Sequence, residues 1–125
     1  MILSTEWIHA QQRYYCEIKG IEKISSGLKI IFDFGTDASY NIVGLNDKLK
    51  LVDDRGQEIK FNSMVDAANY VVERGWRFQQ AYSSFYGEHS VIHWIFFKDA
   101  ENLEEAKEGI MTRMNYQELK NRRDN

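Results

Sequence analysis

Apolar and polar residues alternate along the first third of the chain, as they do in β-strands with one buried face. The clearest run places four apolar side chains on one side: Leu28, Ile30, Phe32 and Phe34. Residues 13–24 and 28–35 are therefore predicted to be two strands, joined by a short hairpin loop at residues 25–27.

The alternation stops after the second strand. Residues 36–47 mix small and polar side chains and are predicted to form a loop, with a short strand at residues 40–43. Two short apolar segments then flank the turn-like sequence Asp53-Asp54-Arg55-Gly56, so residues 49–52 and 58–61 are predicted to pair as a small hairpin. Turn chemistry accounts for the two aspartates, because they lack the ligand spacing of a calcium loop.

Helical spacing replaces the alternation between residues 63 and 74. Ser63 is a good N-cap, and Asp66 adds a carboxylate near the positive end of the helix. The apolar positions on one helix face are Met64, Ala68, Val71 and Val72. Gly75 stands where a left-handed residue ends a helix, so we predict a positive φ there and a largely buried Trp76 that folds back onto the helix.

Two more strands are predicted after this helix, at residues 76–83 and 91–98. In the first of them, a period of two places three aromatic side chains on one side: Trp76, Phe78 and Tyr82. The second is apolar on both sides, which is typical of a strand that is central or covered on both faces. Residues 83–90 between them are long for a hairpin loop, and they carry Tyr86 and His89.

A final helix is predicted from Asp99, because carboxylates crowd its first turn. Its apolar stripe is Leu103, Ala106, Ile110 and Met114. The polar residues beyond are expected to fray. This order of elements favours the α+β class, with a single antiparallel sheet of about 4–6 strands, one main helix packed on it and a C-terminal helix. We expect one domain over residues 1–125, with an ordered core at about 13–114.

Composition narrows the possible partners. The 125 residues include no proline, and 43% of them are apolar, which favours one compact unit. The net charge of −3 argues against nucleic acid or an anionic membrane as a partner. The chain as given has no apolar run as long as a signal peptide or a membrane span requires, so a cytoplasmic location is the default expectation.

Three candidate sites have simple structural explanations. His89 and His93 would lie roughly 13 Å apart in a strand, which is too far to bind one metal ion. We therefore expect no metal site and a packed His93 with a hydrogen-bond partner. Cys16 lies in an apolar strand, so we expect an unreactive buried thiol. Residues 74–78 resemble an RNA-stacking motif, but Arg77 replaces its small residue, so anchoring of the helix-to-strand joint is the better interpretation.

Four segments together resemble a pattern found in small bacterial proteins of unknown function. The matching sequences are YYCEIKG, FNSMVDAANYV, GWRFQQAY and VIHWIFFK, and they fall within residues 14–98. The shared features are a helix that ends in Gly-Trp, a strand after it, and a closing strand that ends in lysine. The resemblance implies an α+β architecture, and it implies no activity. Some proteins of this kind are exported, so the resemblance leaves the location open.

No motif for a nucleophile and base, a metal or a cofactor occurs in the sequence, so we predict no catalytic residues and no cofactor. The expected function is a non-enzymatic binding or protein-interaction module that associates with a protein partner or with a second copy of itself. The expected interaction surface is the ring-rich row Ile92, Trp94 and Phe96. The alternative is a small-ligand-binding protein or enzyme with an aromatic pocket near the 83–93 loop, lined by Tyr82, Tyr86, His89 and His93.

Overall fold

A computed structural model describes residues 11–23, 27–35 and 47–125 of the chain. Its four strands are β1 (Gln12–Lys23), β2 (Gly27–Asp33), β3 (Arg77–Tyr86) and β4 (His89–Ala100). Its helices are a 3₁₀ turn at Asp47–Leu49, α1 (Met64–Val72), α2 (Leu103–Ala106) and α3 (Arg113–Arg123). The strands form one sheet in the order β2-β1-β4-β3, and every neighbouring pair is antiparallel. The predicted α+β class with a single antiparallel sheet and a C-terminal helix is confirmed. The predicted strand at residues 40–43 lies outside the described residues.

The main core lies between α1 and one face of the sheet. Strand alternation and register bring Ile18 of β1 opposite Phe32 of β2 and Trp94 of β4. The buried sheet residues of this core include Cys16, Ile18, Phe32, Phe34 and Phe96, and those of α1 are Met64, Ala67 and Val71. We call this side of the sheet the helix face and the other side the polar face.

Both ends of α1 have the predicted capping chemistry. The Ser63 hydroxyl accepts a hydrogen bond from the Asp66 amide at 3.1 Å, and the Asp66 carboxylate accepts one from the Asn62 amide at 2.9 Å. At the other end Gly75 has a φ of +95°, and the Trp76 amide returns to the Val71 carbonyl at 3.1 Å. Trp76 is buried. Both predictions for this joint, the positive φ and the buried indole, are confirmed.

Gly75→Ala is expected to lower the free energy of unfolding by at least about 1 kcal/mol, because a Cβ penalises the left-handed backbone. The added Cβ would also lie 3.1 Å from Cε of Lys98. Urea denaturation measures the effect. Gly75→Asn is the control: asparagine tolerates positive φ, so it should cost less than alanine. Equal losses for both variants would contradict the backbone explanation.

A lysine and an arginine fasten the helix ends to the sheet. Nζ of Lys98 donates to the Arg74 carbonyl at 2.8 Å and to the Ala106 carbonyl at 3.1 Å. These carbonyls lie just beyond α1 and at the end of α2, where the helix dipoles favour a positive charge. The Arg74 guanidinium in turn donates to the Gly109 carbonyl at 3.0 Å and lies over the Tyr70 ring. The chain around Gly75 and Trp76 is therefore tied to β4 through Lys98 and to the segment after α2 through Arg74.

A β-bulge in β3 corrects one prediction. The pairing of β3 with β4 shifts register between Phe78 and Gln80. The extra residue reverses the alternation, so Phe78 lies on the helix face and Tyr82 on the polar face. The prediction that Trp76, Phe78 and Tyr82 share one side was wrong, because strict alternation cannot anticipate an inserted residue.

The hairpin between β3 and β4 is also tighter than predicted. The strands continue to Tyr86 and His89, which pair with each other, so the connection is the two-residue turn Gly87-Glu88. Gly87 has a φ of +62°, which a turn of this length requires at a central position. Residues 83–90 are therefore mostly strand and do not form a long loop.

The predicted single helix after Asp99 is two helices. β4 continues to Ala100, and α2 begins after its N-cap Asn102. Gly109, with a φ of +83°, separates α2 from the next helix. α3 then begins behind its own cap, the Thr112 hydroxyl, and takes in the residues that were expected to fray. The smaller hairpin is reduced to one bridge, between Val52 and Glu58.

Candidate functional site

Six polar side chains gather on the polar face of the sheet. They are Glu17 and Lys19 of β1, Asp33 of β2, Tyr82 and Ser84 of β3, and His93 of β4. The register brings them together, because Lys19 and Tyr82 both lie directly opposite His93. We call this group the polar cluster. Strand order and register together decide that a β1 carboxylate meets a β4 histidine.

His93 is the centre of the polar cluster and is only 5% exposed. Its Nε2 lies 2.7 Å from the Ser84 hydroxyl oxygen, and its Nδ1 is hydrogen-bonded to Oε1 of Glu17. A carboxylate can only accept at Nδ1, so in the neutral ring the proton sits on Nδ1. Nε2 is then the acceptor, and the Ser84 hydroxyl donates to it. The expected hydrogen-bond partner of a packed His93 is confirmed.

Tyr82 covers the imidazole. The two rings are stacked, with centroids 4.3 Å apart and planes within 2° of parallel. The Tyr82 hydroxyl also donates to Oε1 of Glu17 at 3.2 Å. The same carboxylate oxygen therefore holds the histidine and the tyrosine, which fixes the orientation of both rings.

Lys19 supplies positive charge to the polar cluster. Its side chain is 8% exposed, and Nζ lies 3.9 Å from Oε2 of Glu17 and 3.6 Å from Oδ2 of Asp33. The two carboxylates and the buried ammonium of Lys19 neutralise each other in part, which lowers the free-energy cost of burying these charges.

On the helix face of the same strand, burial raises the pKa of the Cys16 thiol, and the negative charges of Asp33 and Glu17 raise it further. The predicted buried thiol is confirmed, and its thiolate form is disfavoured.

The predicted aromatic and histidine pocket is partly assembled. Tyr82 and His93 are in contact, as described above. Tyr86 and His89 pair with each other at the turn end of the same two strands. His93 lies in β4 as predicted, and His89, which was expected in the loop before this strand, is its first residue. Within residues 11–23, 27–35 and 47–125, no group of three or more potential ligands has a metal-binding arrangement.

Glu17 and Ser84 were not among the site residues predicted from the sequence. Glu17 reads as a solvent-facing residue of an alternating strand, and Ser84 falls in a segment that was predicted to be loop. The only available signal was that Tyr15, Glu17 and Lys19 share one side of their strand. That pattern indicates a polar face and does not indicate what lies opposite.

The predicted interaction surface needs correction. Ile92, Trp94 and Phe96 lie on the helix face, where Phe96 is 1% exposed and the other two are half-buried against the core. Phe96 is therefore unavailable to a partner, because the fold's own core uses the side of β4 that was expected to be uncovered. The large exposed rings of the described residues are Tyr15 on β1 and three on β3, among which Phe78 is 53% exposed and Phe85 is 80% exposed.

Among the described strands, β3 lies at one edge of the sheet. In the described part of the chain it is hydrogen-bonded to β4 on one side only. Its side chains are exposed on both faces from Arg77 to Ser83. No charged residue occurs from Phe78 to Tyr86. Edge strands of soluble proteins are usually guarded by charges, proline, bulges or a covering element. In β3 the exposed Arg77 and the bulge near Gln79 both lie at the start of the strand, so the described residues from Gln80 to Tyr86 carry neither a charge nor a bulge.

A cleft of about 450 Å³ lies beside β2, and both of its carboxylates are paired with lysines that also line it. Lys29 bonds Asp47 at 2.5 Å, and Lys50 bonds Glu58 at 3.1 Å. The hydrogen bond from Lys29 lowers the pKa of Asp47. Since these charges satisfy each other, we see the cleft as weaker evidence for a ligand site than the polar cluster.

None of the helices in the described ranges is both long enough and apolar enough to cross a lipid bilayer. Compared with known proteins, the chain matches no family model, no curated protein and no solved structure. The resemblance to small bacterial α+β proteins stays an expectation from the sequence, and the functional argument depends on the geometry of the polar cluster and of β3.

Proposed function

We propose that this protein is an interaction module that associates by adding a strand to the free edge of β3, and that its partner is a second copy of the chain. The observation that carries the proposal is the exposed outer edge of this strand, which has no charged residue from Phe78 to Tyr86 and no pairing strand among the described residues. An unpaired edge presents a row of backbone donors and acceptors to any chain that can lie alongside it.

The residues of β3 suit pairing with themselves. From Gln80 to Tyr86 the strand is in regular register with β4, so its outer edge is straight enough to pair. In a two-fold antiparallel arrangement centred on Tyr82, Gln80 of one copy faces Ser84 of the other, and Ala81 faces Ser83. No like charges meet in this arrangement, because the segment carries none.

Exposed rings beside the edge add apolar area to the association. Phe85 is 80% exposed and Tyr82 is 45% exposed, although most large side chains of the sheet are buried. A two-fold contact uses each ring twice, so a small patch on one copy contributes double the area. Two sheets of four described strands would then join into a continuous sheet of eight.

Light scattering at micromolar concentration is expected to give twice the chain mass of 14.8 kDa. Ala81→Lys should give a single-chain mass, because lysine on an edge strand opposes pairing and the two introduced ammonium groups would lie diagonally across the two-fold axis from each other. Val65→Lys is the matched control: it adds the same charge at an exposed position of α1 and should leave the dimer intact. A wild-type protein of single-chain mass throughout the micromolar range would overturn the proposal.

A further inference from the structure

Ser84, His93 and Glu17 form an ordered hydrogen-bond chain that strand addition does not use. Each residue comes from a different strand, so the chain crosses β3, β4 and β1 in turn. The Ser84 hydroxyl lies 2.7 Å from Nε2 of His93, and Nδ1 of His93 is bonded to Glu17. Ser84 is half-buried and lies in the edge strand, whereas His93 is only 5% exposed.

The identity and order of the two partners of His93 match those of a catalytic triad. Burial alone requires a hydrogen-bond partner at each ring nitrogen and does not specify which groups these are. Here the second nitrogen holds a serine hydroxyl, which gives the sequence of nucleophile, base and orienting carboxylate that activates serine in acyl-transfer enzymes. Stacking by Tyr82 further restricts rotation of the ring, so Nε2 stays directed at Ser84.

We propose that Ser84 is a nucleophilic serine that accepts the acyl group of small uncharged esters, with His93 as its general base and Glu17 as the residue that positions His93. The uncharged stretch Phe78–Tyr86 around the serine favours an uncharged acyl group. This inference is independent of the proposed pairing through β3.

The chemistry balances with water as the second reactant. Oγ of Ser84 bonds to the ester carbonyl carbon while its proton moves to Nε2 of His93. The bond from that carbon to the ester oxygen breaks, and the leaving alcohol takes the proton from Nε2. Water then attacks the acyl-serine and gives a proton to Nε2, and Oγ leaves and recovers that proton. The net products are one carboxylic acid and one alcohol.

A fluorophosphonate probe tests the nucleophile directly. The intact protein is incubated with the probe, and mass spectrometry of its peptides locates any adduct. We expect one adduct per chain, on Ser84, and release of nitrophenol from p-nitrophenyl acetate. Ser84→Ala should abolish both signals, and the matched control Ser90→Ala, a half-buried serine on the helix face of β4, should retain both.

The base and the positioning residue are tested by rates. His93→Gln should slow the labelling by at least about a hundredfold, the usual contribution of a general base. Glu17→Gln should also slow it, and Glu17→Asp should restore part of the rate, which a purely structural role would not produce. Circular dichroism confirms that each variant is folded. All labelling is repeated in the Ala81→Lys variant, so that pairing cannot hide the serine. Absence of an adduct on Ser84 in both proteins would overturn the inference.

Discussion

Trp76→Ala is expected to lower the free energy of unfolding by about 3–5 kcal/mol, the largest effect of any substitution considered for this protein. The indole is 1% exposed and packs edge-on against Phe34, with ring centroids 5.6 Å apart. It fills the space directly behind the left-handed Gly75, so truncation leaves a cavity where α1 joins β3. Since a domain of this size has a total stability of roughly 5–15 kcal/mol, urea denaturation would resolve the loss easily.

Two controls separate packing from polarity at this site. Phe85→Ala removes a ring that is 80% exposed, and it should change the free energy by no more than about 0.5 kcal/mol. Trp76→Phe should cost under about 2 kcal/mol, because it removes an indole N–H that finds no hydrogen-bond partner in the described part of the chain. A loss below about 1 kcal/mol for Trp76→Ala would show that packing of the indole contributes little to the stability of the core.

The second large effect is expected at Glu17. Glu17→Ala should lower the free energy of unfolding by about 2–3 kcal/mol, since it removes the acceptor of His93 and Tyr82 and one counter-charge of Lys19. The 20% exposure of the carboxylate keeps this below the cost of breaking a fully buried pair. Thermal and urea denaturation both measure it.

Glu22→Ala is the matched control for this prediction. Glu22 is an exposed residue on the helix face of the same strand, so its loss should change stability by less than about 0.5 kcal/mol. A double-mutant cycle of Glu17→Gln with His93→Gln should then give a coupling energy of at least about 0.5 kcal/mol. Additive losses would show that the two side chains do not depend on each other.

Local chemistry was sufficient to predict the segment from Ser63 to Trp76. A capping serine, helical spacing and a glycine at the left-handed position act within a few residues of one another, so no distant contact is needed to specify them. The strands β1 and β2 were also predictable from alternation, and β4 from a short run that is apolar on both sides. Composition and element order were enough for the α+β class.

Errors arose where one inserted or exceptional residue changed the outcome. The bulge in β3 moved Tyr82 to the other face from Phe78, and Gly109 divided the last helix. In both cases the apolar residues on either side follow the regular spacing of a strand or a helix. The irregularity depends on contacts with neighbouring elements, which the local pattern does not contain. The extension of β3 and β4 into a two-residue turn likewise depended on their pairing with each other.

The sequence by itself determined the class of the fold, the capped helix with its buried Trp76, and a packed His93. Only the tertiary structure decided what His93 meets. Glu17 is 76 residues away along the chain, and Ser84 is 9 away. The strand order β2-β1-β4-β3 brings both residues next to His93 in space, because β1 and β3 lie on opposite sides of β4. Strand order is a property of the whole sheet, and alternation within each strand is the same for every order. The polar cluster and the free edge of β3 therefore exist only once the four strands are assembled.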